Sequence, residues 1–284
     1  MKSPDLSIFP AVSTETWVEE AEKQLKSAEA LKAISWESLD IKELKPYYDA
    51  ADVNALTAQL AFFQHLPAHD WKLFQRIQIV DERAANKEAI NALVGGCDGI
   101  IFESSQAVDF GVLLKDIDLS ICEVSSLHQE IKGASGMNPG NCLQSREATT
   151  PVQQIQSIVG ALSELHTWVE RKSFTDFFVE IATIRALRYV LDANHHSSTK
   201  IHTSISMHAS TEHQWFLNTS AGLASILGGS YSIDFPTSEG DTRISRNVGN
   251  IIREESGISE YTDQCGGSYF VEALTHHIIE EVMH

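Results

Sequence analysis

Hydrophobic and polar residues follow two alternating spacings along this chain, which predict strands and helices in turn. Short apolar or alternating runs predict β-strands at 73–80, 99–102, 119–124, 200–206 and 231–235. Apolar residues at helical spacing predict helices at 84–94, 110–115, 152–165, 173–193 and 212–227. Residues 132–151 are rich in Gly, Ser, Asn and Thr and are predicted to form a loop. Alternating strands and helices favour βαβ units and a parallel sheet.

The C-terminal end predicts two further helices. Ile244, Val248 and Ile252 recur at helical spacing, and Gly257 follows where a left-handed residue would end the helix. Ser268 is a candidate N-cap for a second helix. The predicted buried face of that helix comprises Val271, Leu274, Ile278 and Val282.

The first 52 residues predict an arm that precedes the main domain at 53–284. Five apolar residues of the arm share one face at helical spacing, and charged residues lie between them. They are Val18, Ala21, Leu25, Ala28 and Leu31. This stripe needs a surface to cover, which is either the chain's own main domain or another subunit.

Composition and charge exclude some classes of partner. The 284 residues are 43% hydrophobic and 21% charged, as in an ordinary globular protein with room for one large α/β domain. A formal net charge of −18 argues against nucleic acids and anionic membranes, which require clustered Lys and Arg. No stretch approaches the ~20 apolar residues of a membrane span. Four well-separated cysteines and an N-terminus without targeting features predict buried thiols and a cytoplasmic location.

Several motifs resemble one family in the order in which they occur. The chain carries FPAVS at 9–13, FFVEIATIRALR at 177–188, LGGSYSI at 227–233, EESGI at 254–258 and GGSYFVEALT at 266–275. These motifs resemble the barrel domain of the methylmalonyl-CoA mutase family. The resemblance implies an α/β fold, a TIM-type (β/α)8 barrel preceded by an extended or helical arm. Because eight strands cannot be counted in the pattern, a trimmed barrel is included in the prediction.

The same resemblance implies a cofactor that this chain is not equipped to hold. The family carries out a radical rearrangement with adenosylcobalamin, bound by a domain with an Asp-x-His-x-x-Gly motif. None of the twelve histidines here has an Asp two positions before it. The sequence also ends soon after the GGSY motif, so no cobalamin domain is expected in it. We therefore expect adenosylcobalamin in a partner chain and no cofactor on this one.

Several residues with which the family contacts its substrate and cofactor are missing from this sequence. Active members place a Tyr and an Arg in a peptide before the first strand, whereas residues 58–71 here contain neither. The family's Thr-Asn-x-x-Asp-Glu loop, which contacts the adenosyl group, is replaced by DFPTSEG at 234–240. The loss of several groups together predicts a barrel that is not catalytic by itself.

One remnant of the family's pocket is retained. Residues 201–208 align without gaps to the strand that bears the family's pocket histidine, and His202 occupies that position. Glu212 and Asn218 also match. A neutral imidazole at a strand end can donate a hydrogen bond to a thioester carbonyl. The alternative, which we favour, is a vestigial pocket in which His202 is satisfied by neighbours.

A metal site is a lesser alternative for the histidines. His202 and His208 are six residues apart on a predicted strand and would share a face, with His213 following. However, no Asp or Glu completes a familiar ligand spacing around them. The sequence gives this reading, a metal-dependent hydrolase, little support.

Three functions remain open at this point. The favoured one is a small, non-catalytic subunit that pairs with a large cobalamin-binding mutase chain in a heterodimer. The second is a catalytic acyl-CoA mutase barrel completed by a separate cobalamin-binding subunit, and the third is the hydrolase. For the heterodimer, the predicted interface residues lie in the arm: Phe9, Pro10, Trp17 and Leu25.

Overall fold

The computed structural model describes residues 12–38, 41–66, 70–145, 147–206, 211–236 and 242–284. The N-terminal part contains four short helices and a β-hairpin. They are α1 (Thr14–Leu25), α2 (Ala28–Ala33), β1 (Trp36–Ser38), β2 (Ile41–Leu44), α3 (Ala50–Val53) and α4 (Thr57–Gln64). The predicted helical stripe is thus split between α1 and α2, because Lys26 adopts a left-handed conformation and the Ser27 hydroxyl caps α2.

Strands and helices alternate through the rest of the chain. The strands are β3 (Lys72–Gln78), β4 (Gly99–Glu103), β5 (Glu123–Ser126), β6 (Cys142–Ser145), β7 (Trp168–Lys172), β8 (Lys200–Ser204) and β9 (Ser232–Asp234). The helices are α5 (Glu82–Val94), α6 (Phe110–Leu113), α7 (Pro151–Ala161), α8 (Phe177–Ala193), α9 (Thr211–Leu227), α10 (Thr242–Glu255) and α11 (Tyr269–Met283). A 3₁₀ turn, Ile258–Glu260, separates the last two helices.

The seven strands β3–β9 form one parallel sheet that curls back on itself. Its order is β5-β4-β3-β9-β8-β7-β6, so the first strand of the barrel pairs with the last. Phe74 of β3 lies opposite Asp234 of β9, and all six pairings of the sheet are parallel. Pairing of the first strand with the last is how a (β/α) barrel closes. The predicted fold, a trimmed TIM-type α/β barrel, is confirmed.

The curled sheet has its two edges at β5 and β6, and the chain segment between them runs along β5. The Ser126 amide donates to the Met137 carbonyl at 2.9 Å, and the Ser125 hydroxyl accepts from the Met137 amide at 2.9 Å. Gly136 permits this approach, since a Cβ there would lie 2.5 Å from the Val124 carbonyl oxygen. The buried Met137 side chain then joins the interior of the barrel.

The hydrophobic core has an inner and an outer part. One cluster lies inside the curled sheet and includes Phe74, Ile101, Met137 and Trp168. Larger clusters lie between the sheet and its surrounding helices. Ile41 and Leu44 of the N-terminal hairpin are buried in the cluster that contains α8 and α11 residues, so this hairpin packs on the barrel.

Several predicted elements differ from those observed. The strand predicted at 119–124 is displaced, because residues 118–121 form turns and pairing with β4 begins at Glu123. The predicted loop at 132–151 contains β6, and β7 was not predicted. Gly257 is left-handed as predicted, with φ of 66°. Ser268 precedes α11 as predicted, although its side chain accepts no capping hydrogen bond. Of the four free thiols, Cys97 and Cys142 are buried, and the other two are half-buried.

Candidate functional site

The predicted pocket histidine lies inside the barrel. His202 is the third residue of β8, and its side chain is fully buried. Its register partners are Glu170 on β7 and Ser232 on β9. The ring of Phe74 lies 5.6 Å from the imidazole, centre to centre. Alternation along the strands therefore directs His202 inwards, into a space that neighbouring side chains already fill.

Both ring nitrogens of His202 have hydrogen-bond partners. Nε2 lies 2.8 Å from Oδ1 of Asp234, and Nδ1 lies 2.8 Å from the Ser232 hydroxyl. An ionised carboxylate only accepts, so Nε2 carries a proton and donates to Asp234. All three residues are at most 2% exposed. Serine, histidine and aspartate in a line are also the elements of hydrolytic triads. A substrate cannot reach this serine, so the arrangement acts as a structural polar network.

Asp234 also belongs to a larger charge network around Arg76 of β3. The guanidinium donates to Asp234 at 3.0 Å, to Glu170 at 2.7 Å and to Glu103 at 2.6 Å. These carboxylates come from β9, β7 and the end of β4, so one arginine links three strands across the barrel. The side chains of Arg76 and Glu103 are 17% and 19% exposed. They lie towards the carboxy-terminal ends of β3 and β4, which form the open end of the barrel.

The network fixes the charge state of Asp234. Burial opposes ionisation of this carboxyl group, but the Arg76 guanidinium and the hydrogen bond from His202 hold its pKa well below the usual range. The same carboxylates raise the pKa of Arg76 above its already high value, against the effect of burial. Asp234 and Arg76 are therefore both charged at neutral pH, and neither is available to exchange a proton with a substrate.

The amino-terminal end of the barrel is closed by a second charged cluster. Glu123 of β5 accepts from Lys72 at 3.0 Å, from Lys200 at 3.1 Å and from the Tyr231 hydroxyl at 2.7 Å. The Lys200 ammonium also lies 4.7 Å from the ring centre of Trp168. Burial opposes ionisation of Glu123, yet these donors lower its pKa. Aromatic rings and two lysines that share one carboxylate thus fill this end of the interior.

The other predicted site residues are not all described. Phe9, Pro10 and His208 lie outside the described residues, and the side chain of Glu212 does too, although its backbone lies in α9. Asn218 is buried between α9 and α10, where it accepts from Gln214 at 2.7 Å and donates to Ser245 at 3.3 Å. No hydrogen bond links Asn218 to His202 in the described part of the chain. Their roles remain predictions.

Two of the predicted interface residues, Trp17 and Leu25, lie within the described part of the chain. Trp17 is half-buried and stacks on Tyr47, with ring centres 4.8 Å apart, while Leu25 is half-buried at the end of α1.

The described residues hold no group of three His, Cys, Asp or Glu side chains placed to bind a metal ion. No helix in the described ranges is long and apolar enough to cross a membrane.

Comparison with known proteins agrees with the motifs. A family model for methylmalonyl-CoA mutase matches residues 170–284, from within β7 through α11. The small subunit of methylmalonyl-CoA mutase from Porphyromonas gingivalis is 23% identical, and the alignment covers 97% of this chain and 62% of that protein. The predicted resemblance to the methylmalonyl-CoA mutase family is confirmed.

Other mutase relatives match shorter parts. Methylmalonyl-CoA mutase from Escherichia coli is 28% identical over 56% of this chain and 25% of that protein. The large subunit of 2-hydroxyisobutanoyl-CoA mutase from Aquincola tertiaricarbonis is 32% identical over 35% of this chain and 22% of that protein. The chain thus spans less than two thirds of the length of each of these mutase relatives.

Sequence reasoning found His202 but missed its partners. The wider network around His202 consists of charged side chains on four strands: Arg76, Glu103, Glu170 and Asp234. Glu103 follows an apolar run at 100–102. A charged residue directly after an apolar run was a usable signal, because charged residues are rarely buried unless they are paired. Which strands would meet across the barrel could not be read from any one of them.

Proposed function

We propose that this chain is a small, non-catalytic subunit of an adenosylcobalamin-dependent methylmalonyl-CoA mutase complex. In this proposal a large partner chain carries the cofactor and the isomerisation of methylmalonyl-CoA and succinyl-CoA. The observation on which the proposal rests is the filled interior of the barrel. Phe74, Trp168 and the His202–Asp234 pair occupy the space in which a catalytic barrel would hold its substrate.

The charges in the barrel also support a non-catalytic role. Among the interior groups towards the open end, three carboxylates surround one arginine, so the local charge is negative. Acyl-CoA substrates are anionic and would be repelled there. The described residues therefore do not fit a substrate or the cobalamin cofactor inside the barrel, and we assign no chemical step to them.

The relatives support a subunit role. The Porphyromonas gingivalis relative that aligns with 97% of the chain is a small subunit by name. The Aquincola tertiaricarbonis relative is a large subunit, so mutase relatives of both subunit types exist. We infer that the partner of this chain is a large mutase chain in a heterodimer.

The partner can be sought directly. The full chain, tagged at one end, is expressed at native level, recovered from native lysate and examined for a co-purifying chain with corrin absorbance. We expect a larger chain that carries cobalamin, in a ratio close to one to one. Recovery of this chain alone, or of a small separate cobalamin-binding protein, would contradict the heterodimer.

The arm gives a test of the interface. Trp17→Ala should weaken association with the large chain by about 2 kcal/mol, as loss of a buried aromatic anchor does, and Leu25→Ala should weaken it less. Leu165→Ala is a matched control, because Leu165 is an apolar side chain that is 74% exposed. If Trp17 serves only to stack on Tyr47, its removal will lower the melting temperature and leave partner affinity unchanged.

The second candidate is a catalytic barrel completed by a separate cobalamin-binding chain, and the retained His202 favours it. His202→Gln keeps a donor near Asp234 but removes the imidazole. In the reconstituted complex we expect mutase activity within about twofold of wild type, whereas an electrostatic or acid–base group contributes about 10²-fold or more. The matched control is His128→Ala on the surface. A loss of that size with assembly intact would favour the second candidate.

A further inference from the structure

A cavity of about 310 Å³ lies beside the amino-terminal ends of β8 and β9, outside the filled interior. Its volume is at the low end of the range of about 300–1,000 Å³ for ligand pockets. One side is formed by Arg188 of α8 and by Ser197 and Ser198 of the following loop. Phe63 of α4 and Leu227 of α9 also line the cavity. Neither proposal for the barrel interior uses this cavity.

Arg188 differs from Arg76, Arg171 and Arg185, each of which is paired with a carboxylate, because it has no carboxylate partner among the described residues. Its Nη1 donates to the Thr199 carbonyl at 2.7 Å and more weakly to the Ser197 carbonyl at 3.5 Å. Within the described ranges, Nε and Nη2 donate to no protein group, and no carboxylate lies within ion-pair distance. Burial lowers the pKa of Arg188 to about 10, so the group remains charged at neutral pH without a counter-ion.

The other charges of the cavity are largely engaged with one another. Arg185 is held by Asp263 at 2.6 Å and by Glu272 at 2.7 Å. Lys200 shares Glu123 with Lys72. The first group carries one excess negative charge and the second one excess positive charge, so they offset each other. After these two groups offset each other, the positive charge of Arg188 is left uncompensated at the cavity. This contrasts with the chain as a whole, whose formal net charge is −18.

The remaining walls suit an organic ligand rather than a bare ion. Phe63 covers the Arg185 guanidinium at 3.8 Å and presents apolar surface to the cavity together with Leu66 and Leu227. The hydroxyl groups of Ser197 and Ser198 make no hydrogen bond within the described part of the chain, and both residues are exposed at the rim. They are therefore free to donate to an oxyanion beside Arg188.

We propose that this cavity binds a small organic oxyanion, a carboxylate or a phosphate monoester with an apolar body. The guanidinium of Arg188 receives the anionic group through its free N–H donors, with Ser197 and Ser198 as additional donors. The apolar body packs against Phe63, Leu66 and Leu227. This site is independent of the role proposed for the subunit.

The test uses calorimetric titration of the full chain with inorganic phosphate, phenyl phosphate and benzoate. We expect saturable one-to-one binding of phenyl phosphate or benzoate, tighter than that of inorganic phosphate, and weaker at higher salt. The better of the two organic probes identifies the oxyanion as phosphoryl or carboxylate. Failure of all three probes to bind would overturn the proposal.

Variants then locate the binding. Arg188→Gln removes the charge and should weaken binding about tenfold or more, as loss of a charge-assisted hydrogen bond does, while Arg188→Lys should restore part of the affinity. Arg83→Gln, on the exposed face of α5, is the matched control and should bind as wild type does. Equal affinity in Arg188→Gln and Arg83→Gln would overturn the assignment.

A second variant covers the case in which Arg188→Gln fails to fold. Ser198→Glu places a carboxylate at the exposed rim, where it repels an anion. We expect this variant to weaken probe binding at least as much as raised salt weakens it in wild type. Its circular dichroism spectrum should be unchanged. If Ser198→Glu folds and binds the probe as tightly as wild type, the anion does not lie at this rim, and the proposal is wrong.

Discussion

Arg76 and Arg188 are two arginines of one barrel in opposite electrostatic settings. Arg76 lies inside the curled sheet and donates to three carboxylates at 2.6–3.0 Å. Arg188 lies outside it beside a cavity, and among the described residues its hydrogen-bond partners are backbone carbonyls alone. Where the protein supplies the counter-charges itself, no space remains for a ligand. Where it does not, a cavity of about 310 Å³ adjoins the cation.

This difference bears on how charged groups are accommodated in the barrel interior. Charged groups inside a barrel are costly unless they are paired. In the interior of this chain, Arg76 and His202 both donate hydrogen bonds to Asp234, so the three side chains satisfy one another. The retention of His202 is therefore weaker support for catalysis than its alignment with the family's histidine first indicated.

The comparison is tested most strongly by removing the interior cation. Arg76→Met should lower the free energy of unfolding by about 3–5 kcal/mol, because it leaves buried carboxylates without the cation they share. Urea unfolding followed by circular dichroism measures this change. Arg83→Met on the surface of α5 should change it by no more than about 0.5 kcal/mol. A loss for Arg76→Met as small as the control's would mean that the network contributes little.

A smaller effect is expected for Asp234→Asn, and it should depend on pH. At pH 7 the variant should lose about 1–3 kcal/mol, since Arg76 and His202 then face a neutral group. The folded-state pKa of Asp234 is depressed, so its contribution is complete above the unfolded-state pKa of about 3.9 and is lost as pH falls below it. The gap between wild type and variant should therefore narrow from pH 5 to pH 3 in urea unfolding. A gap that stays constant with pH would contradict the assigned charge state.

The strands that could be predicted from the sequence are those with a local signal. β3, β4, β8 and β9 have apolar residues that alternate or run together, and each was found within a few residues of its bounds. β7 was missed because Trp168–Lys172 contains three consecutive charged residues and reads as exposed. In the fold, Glu170 and Arg171 are both fully buried, since Arg76 and Glu180 pair with them from other elements.

The candidate site was likewise predictable from the sequence only where the signal is local. The position of His202 on an inward-facing strand followed from its sequence, but its partners lie 30 and 32 residues away on β9. The cavity beside Arg188 left no local signal at all. Its walls come from α4, α8 and the loop before β8. Only the folded chain shows that no carboxylate of the described residues lies within ion-pair distance of Arg188.

The same substitution outside the barrel should have the smallest effect. Arg188→Met loses two hydrogen bonds to carbonyl groups, but it also removes a buried charge that has no counter-ion, and these contributions oppose each other. We therefore expect the free energy of unfolding to change by no more than about 1 kcal/mol, well below the loss for Arg76→Met. Parallel urea titrations of the two variants measure the difference. A loss for Arg188→Met as large as that for Arg76→Met would show that Arg188 is a structural group already satisfied by the Thr199 and Ser197 carbonyls, and the contrast between the two arginines would fail.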